Sequence, residues 1–350
     1  MKKRVPYIDC IRVFACFLVV AVHCNYMPSN PTDHIWAQIL GVIGSPSSEL
    51  FLTISGALLI PVKEPTKVFL KKRFYKLLPP FFIWSIFGIL FLIVTRQQEL
   101  SKAWILLCSI PFNNNVIGVY WFMYTIMGLY LLAPVLSPFI EQKKQGGGIL
   151  LILWMLTILL PLLNLIIPGL NIDNSNPKSM LNSFYGYAGY MVLGWYLKSY
   201  PFKFTQKKYG WIVSLSFLII SIMIISIVGI FFPEYRGYVC DNLSFVNMLY
   251  VVSLFTLIQS VFKRENRITW LAHNLTKYTF GVYLVHVFVI YIIYILIEKE
   301  SYPVVLQLPV TIFLSFASSV FVVWLFTSIK PLRWTVQGYK YSPDFNVIKK

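Results

Sequence analysis

Apolar runs of about 20 residues recur ten times along this 350-residue chain, and that recurrence leaves few folds open. They fall near 8–27, 39–60, 78–95, 118–138, 147–168, 182–198, 210–232, 242–262, 278–297 and 305–329. A run of this length and polarity crosses a bilayer as a helix, because lipid supplies no partner for backbone N–H and C=O groups. Composition agrees. The chain is 57% hydrophobic and 12% charged, where a soluble domain is nearer a quarter charged. The expected fold class is all-α, a polytopic transmembrane helical bundle of about ten spans forming one integral membrane domain over residues 1–350. The second run departs from the pattern, carrying Gly44, Pro46, Ser47, Ser48 and Glu49, and the sixth is short and rich in Gly and Tyr.

The first 24 residues have a basic start, Lys2, Lys3 and Arg4, before an apolar stretch, as a signal peptide does. They lack a small-residue cleavage site and contain Asp9, Arg12 and His23. A retained helix is expected, with no soluble domain before or after the membrane region.

The net charge of +17 is explained by where the basic residues stand. With the N-terminus in the cytoplasm and ten alternating spans, 24 of the 30 Lys and Arg fall in inside segments and five outside, leaving Arg12 within a span. That bias is the positive-inside rule. It places both termini in the cytoplasm and removes the case for nucleic acid. Of the five cysteines, Cys10, Cys16 and Cys24 read as small hydrophobes in the first run. Cys108 and Cys240 lie towards the outer side, where the alternatives are a disulfide between them and, as the expected state, two free thiols; no spacing suggests a metal. The segment KQGGG at 144–148 reads as the nearest thing to a flexible linker, and no internal repeat is visible.

Ionisable residues inside spans are costly and functional by default. Here they are Asp9, Arg12 and His23 in the first run, Glu49 in the second and His286 in the ninth. Arg12 and His23 are eleven residues apart, so they share a helix face to within about 20° and lie roughly 16 Å apart along the axis. Asp9 is within reach of Arg12 as an ion-pair partner. Glu49, if it meets His23, would orient the ring in the manner of a catalytic triad, and a His–carboxylate pair suits a general base. Lys72, Arg73 and Lys76, just before Pro79 and Pro80, form either a topology anchor or an anion site for a phosphorylated cosubstrate. Tyr120 and Trp121 are expected at the outer interface, as a belt or as a sugar platform. Tyr283 and His286 share a face of the ninth run, with His286 expected on the cytoplasmic side.

These elements, in this order, resemble the acyltransferase family three of membrane proteins. YIDCIRVFACFLVVAVH is similar to its first-helix signature, with Asp9, Arg12 and His23; ELFLTISG supplies Glu49, Ser55 and Gly56; KRFYKLLP, YWF and YLVH match the later elements. Cys10 and Val13 stand where the family often has glycines, and Lys76 where it often has arginine. The resemblance implies a membrane O-acyltransferase that takes acetyl-CoA, or another acyl-CoA, as cosubstrate without a metal. The acceptor it implies is a hydroxyl of a cell-envelope carbohydrate. His23 would be the base or the acyl carrier, with Glu49 in support. Arg12, Lys72, Arg73 and Lys76 would hold the donor. Tyr120, Trp121, Tyr283 and His286 would face the acceptor, and Asp9 and Ser55 would give structural support. The protein would reside in the cell (inner) membrane. The alternative is a transporter or flippase for a lipid-linked saccharide, against which stands the absence of repeated halves.

Overall fold

The computed structural model describes residues 4–25, 31–142, 144–167, 169–297 and 303–339. Among them no strand occurs. The helices are α1 (Pro6–His23), α2 (Pro31–Gly44), α3 (Ser47–Leu59), α4 (Thr66–Val94), α5 (Ala103–Ser109), α6 (Trp121–Gln142), α7 (Lys144–Leu159) and α8 (Ala188–Ser199). They continue with α9 (Lys203–Gln206), α10 (Gly210–Phe231), α11 (Arg236–Val239), α12 (Phe245–Val261), α13 (Arg267–Thr276), α14 (Thr279–Leu296), α15 (Val304–Ser328) and α16 (Trp334–Gln337).

Eight segments among the described residues are long and apolar enough to cross a membrane. The other two of the ten expected spans correspond to α12, with 17 residues, and α8, with 12. Both are largely buried inside the bundle, which lets them be shorter than a lipid-facing helix. The second expected span is interrupted at Ser45 and Pro46, so that Glu49 stands in the first turn of α3. Lipid-facing character shows on α10, where Ile212, Phe217, Ile220, Met223 and Ile227 are exposed. On its inner side Ser214 Oγ donates to Thr256 Oγ1 of α12 at 2.9 Å, a polar tie within the bundle.

The closest helix crossing is that of α3 and α8. A Cβ on Gly56 would overlap the Met191 backbone, and one on Gly194 would overlap the Thr53 backbone. Each helix thus presents a glycine to the other's main chain, the small-residue contact by which membrane helices pack without hydrophobic drive. The KQGGG segment is not a linker. From Lys144 it is the first turn of α7, where Gly146 sits on Phe139 and Gly147 on the Trp195 ring.

At 29 residues α4 is about 44 Å long, well over the bilayer's apolar thickness of about 30 Å. Its surplus is at the N-terminal end, so Lys67, Lys71, Lys72 and Arg73 stand at the basic end of the bundle. Pro79 and Pro80 lie inside this helix. Neither has an N–H, so the carbonyls of Tyr75 and Lys76, four residues earlier, lose their helical donors. The C-terminal segment docks there: Tyr339 N–H donates to the Tyr75 carbonyl at 3.1 Å, and Gly338, at φ 68°, presses on the Lys76 carbonyl.

Candidate active site

A cavity of about 700 Å³ opens at the basic end of the bundle. Arg12 of α1, Lys72, Arg73 and Lys76 of α4 and Lys277 line it, together with Ser55, Tyr130, Thr276 and Thr279. Gln337, Gly338 and Tyr339, held against the freed α4 carbonyls, wall it at the surface. No carboxylate is among the lining residues. Lys72 is ion-paired with Glu64. Arg73 is differently placed: its Nε is buried with no hydrogen-bond partner and its guanidinium lies over the Phe69 ring at 5.3 Å. Arg12 has no carboxylate within ion-pair distance among the described residues. Five basic side chains and no carboxylate thus face the cavity, and Arg12 and Arg73 have no ion-pair partner among the described residues, which favours an anion.

The expected Asp9–Arg12 pair does not form. Asp9 Oδ2 accepts from Arg4 Nε at 3.0 Å and meets His273 Nδ1 at 3.1 Å, while Arg4 reaches Glu265 and the Thr269 carbonyl. The reason is that α13 packs across the first turns of α1 and, with Arg4, supplies Asp9 with partners there, so Asp9 does not close an ion pair with Arg12.

The inner wall of the cavity is aromatic. Phe51, Phe122 and Tyr283 line it in sequence, with ring centroids 6.1 Å and 5.7 Å apart. Tyr283 is fixed from both sides: its hydroxyl donates to the Val119 carbonyl at 2.6 Å, and the Tyr120 hydroxyl donates to the Leu284 carbonyl at 2.7 Å. Behind this wall stand two histidines. The rings of His23 and His286 are 5.3 Å apart, and that of Tyr283 is 5.9 Å from His286.

The meeting of the histidines follows from register. The Cys16 thiol donates to the Thr279 carbonyl at 3.6 Å, which sets α1 and α14 level. From that level both chains advance seven residues, to His23 and to His286. Seven residues turn a helix through nearly two full turns, so the same faces meet again about 10.5 Å higher. His286 was expected nearer the cytoplasm than His23. The two are level because the first turns of α1 lie alongside α13, below the start of α14.

Glu49 is fully buried but does not bond to His23. Its two carboxylate oxygens accept from Ser48 Oγ at 3.1 Å, and its electrostatic neighbours are Tyr187, Tyr190 and Asp241. The break at Ser45 and Pro46 turns α3 so that this first-turn side chain faces α8 and the approach to α12. Trp121 lies towards the same region, its ring 5.4 Å from Tyr187. Of the four side chains expected to face an acceptor, Tyr283 alone lines the cavity; Tyr120 and His286 are 1% and 0% exposed. Ser55 lines the cavity and donates to the Phe51 carbonyl at 2.8 Å. Lys277, Gln337, Gly338 and Tyr339 were not expected at a site. In sequence Lys277 is one more topology charge, and the only sign of the C-terminal contact is the Pro79–Pro80 pair. All five cysteines are free thiols.

A family model for an acyltransferase domain (Acyl_transf_3) matches residues 5–328. Comparison with curated proteins and with solved structures gives no match. The matched span takes in the histidine pair, every transmembrane-length segment and the cavity lining other than Gln337, Gly338 and Tyr339: the chain belongs to the Acyl_transf_3 acyltransferase family, as a multi-pass membrane protein.

Proposed function

We propose that the protein is an O-acyltransferase of the cell (inner) membrane that moves an acetyl group from cytoplasmic acetyl-CoA to a hydroxyl of a cell-envelope carbohydrate. One observation carries the reading: a cavity lined by five cations and no carboxylate ends, at an aromatic wall, one helical turn from a pair of histidines. The positive-inside bias assigns the open end to the cytoplasm, where acyl-CoA is found. The cations suit the donor's phosphates, which bind guanidinium and ammonium groups by charge-assisted hydrogen bonds. The donor arm then runs along the α1 face from Arg12 past Phe51, Phe122 and Tyr283. His23 takes the proton of the attacking hydroxyl, or carries the acyl group between donor and acceptor. Either role needs a neutral imidazole with an available lone pair. The acceptor approaches from the far end, where Trp121 and Tyr187 lie beside Glu49. Family membership supports acyl transfer over transport of a lipid-linked saccharide.

The test is acetyl-CoA binding and acetyl transfer to envelope polysaccharide by purified protein, with His23→Ala and Arg12→Ala variants. His23→Ala should lose transfer and keep acetyl-CoA affinity. Arg12→Ala should lose affinity. Near-parental turnover in a folded His23→Ala protein would overturn the assignment.

A further inference from the structure

His286 is buried to 0% exposure, and its Nδ1 donates to the Tyr283 carbonyl at 2.7 Å. A carbonyl can only accept, so Nδ1 carries the proton. No carboxylate pairs with the ring among the described residues, and an unpaired charge so deep is prohibitively costly, so the ring is neutral. Its other nitrogen, Nε2, is therefore a lone pair. It is buried, and no hydrogen-bond donor reaches it. Buried polar atoms are rarely left so. Two polar rings stand beside it: the Tyr283 hydroxyl is committed to the Val119 carbonyl, whereas His23, at 5.3 Å between centroids, has no hydrogen-bond partner among the described residues.

We infer that His286 is the positioning residue of His23: the two rings, 5.3 Å apart here and not yet bonded, close on one another so that Nε2 accepts the N–H of the His23 ring, which leaves the other His23 nitrogen as the lone pair that meets the substrate. The logic is one of elimination between two imidazoles. Two neutral rings share a hydrogen bond only if one donates and the other accepts. The main-chain bond of His286 decides which, because it commits that ring's proton to Nδ1. The Tyr283 carbonyl thus sets the tautomer of His286, and His286 sets that of His23. A carboxylate partner would stabilise an imidazolium; an imidazole partner orients the ring without a formal charge, as suits a site walled by aromatic rings. This inference rests on the reading of His23 as the catalytic residue, and it moves the partner's role from Glu49 to His286.

The test separates the two nitrogens. Gln at 286 puts a carbonyl oxygen near the place of Nε2, Asn puts its polar atoms near the place of Nδ1, and Phe keeps the volume with neither. With acetyl-CoA as donor, His286→Phe and His286→Asn should lower kcat on the order of 100-fold with little change in the KM for acetyl-CoA. His286→Gln should recover much of that loss. If Asn rescues and Gln does not, the main-chain bond is what counts and the inference fails. A readout independent of turnover is available because the chain has only four histidines. In protein labelled with ¹⁵N at histidine, assigned by single substitutions, His286 should show a protonated Nδ1 and a bare Nε2 whose shift changes in His23→Gln. A protonated Nε2 on His286, or a shift unmoved by His23→Gln, would overturn the inference even if acetyl-CoA proved not to be the donor. Parental protein that neither binds nor cleaves acetyl-CoA would instead count against the donor assignment.

Discussion

Among the basic side chains around the cavity, charge is distributed unequally, and that inequality makes a prediction. Lys72 already has a carboxylate, Glu64, against its ammonium group. Arg73 has a buried Nε with no hydrogen-bond partner, and no carboxylate among the described residues stands within ion-pair distance of Arg12. A donor phosphate gains most from the groups whose charge is uncompensated, since binding to Lys72 must first compete with Glu64. Arg73→Gln should therefore weaken acetyl-CoA binding by about tenfold or more, the worth of one charge-assisted hydrogen bond. Lys72→Gln should cost less than about threefold, in line with a half-exposed ion pair. Calorimetric titration of the purified variants gives both numbers. Equal losses at the two positions would mean that Glu64 releases Lys72 when the donor binds. Asp9 belongs to a different account. Its partners Arg4 and His273 tie α1 to α13, so it supports the helix that carries Arg12 without touching Arg12.

At the scale of elements, the cavity is closed by a contact between two segments more than 250 residues apart. Pro79 and Pro80 strip α4 of two N–H groups, and the chain after α16 uses one of the carbonyls so released. Gly338 is required twice over. Its φ of 68° is strained for an L side chain, and a Cβ would strike the Lys76 carbonyl. Gly338→Ala should lift this segment from α4 and raise the KM for acetyl-CoA by about tenfold, the equivalent of the strain it introduces, with kcat falling far less. A parental KM in this variant would show that Gln337 and Tyr339 do not help to hold the donor. This contact also marks where sequence reading stops. The long apolar runs were legible because lipid-facing helices must be apolar over their whole length. Arg12 and His23 were legible because charge in a span is rare, and Lys72, Arg73 and Lys76 because they form a dense basic cluster at the edge of one. What pairs with what was not legible. Asp9 stood nearer Arg12 in sequence than Arg4 does to Asp9, yet α13 decided its partners. Glu49 was matched to His23 by chemistry alone, whereas the break at Ser45 and Pro46 turns it away. The partner brought to His23 is set by a register between α1 and α14, fixed at Cys16 and Thr279, which no local pattern reveals. The glycines of α7 were misread because a glycine that admits a neighbour's ring looks, in sequence, like one that frees the chain.

For the whole molecule the governing question is which end faces the cytoplasm, since the cavity opens at only one. Among the described residues eight segments have transmembrane length and composition, and α8 and α12 are shorter and enclosed. The orientation argument needs only the distribution of Lys and Arg between the two ends. The segment between α9 and α10, with Lys207 and Lys208, belongs to the basic end, as do Lys72, Arg73 and Lys277. The long connection between α7 and α8 belongs to the other and holds a single Lys178. That connection is a folded polar loop: Asn164 Nδ2 donates to the Ile172 carbonyl at 2.8 Å, Asn174 Nδ2 to the Thr157 carbonyl at 3.0 Å, and Ser179 Oγ to Asn174 Oδ1 at 2.6 Å. Both Lys178 and Lys208 are exposed, and both stand outside the helices, so each can report its side. In a background with Cys108 and Cys240 replaced by Ser, which leaves only the buried Cys10, Cys16 and Cys24, a membrane-impermeant maleimide should label Lys178→Cys in intact cells. Lys208→Cys should react only after lysis. This outcome puts the cation-lined cavity where acyl-CoA is available and leaves the Trp121–Tyr187 end for an acceptor outside. The reverse pattern would open the cavity to the exterior, where no acyl-CoA is supplied, and would require a different anion for Arg12, Arg73 and Lys277 to bind.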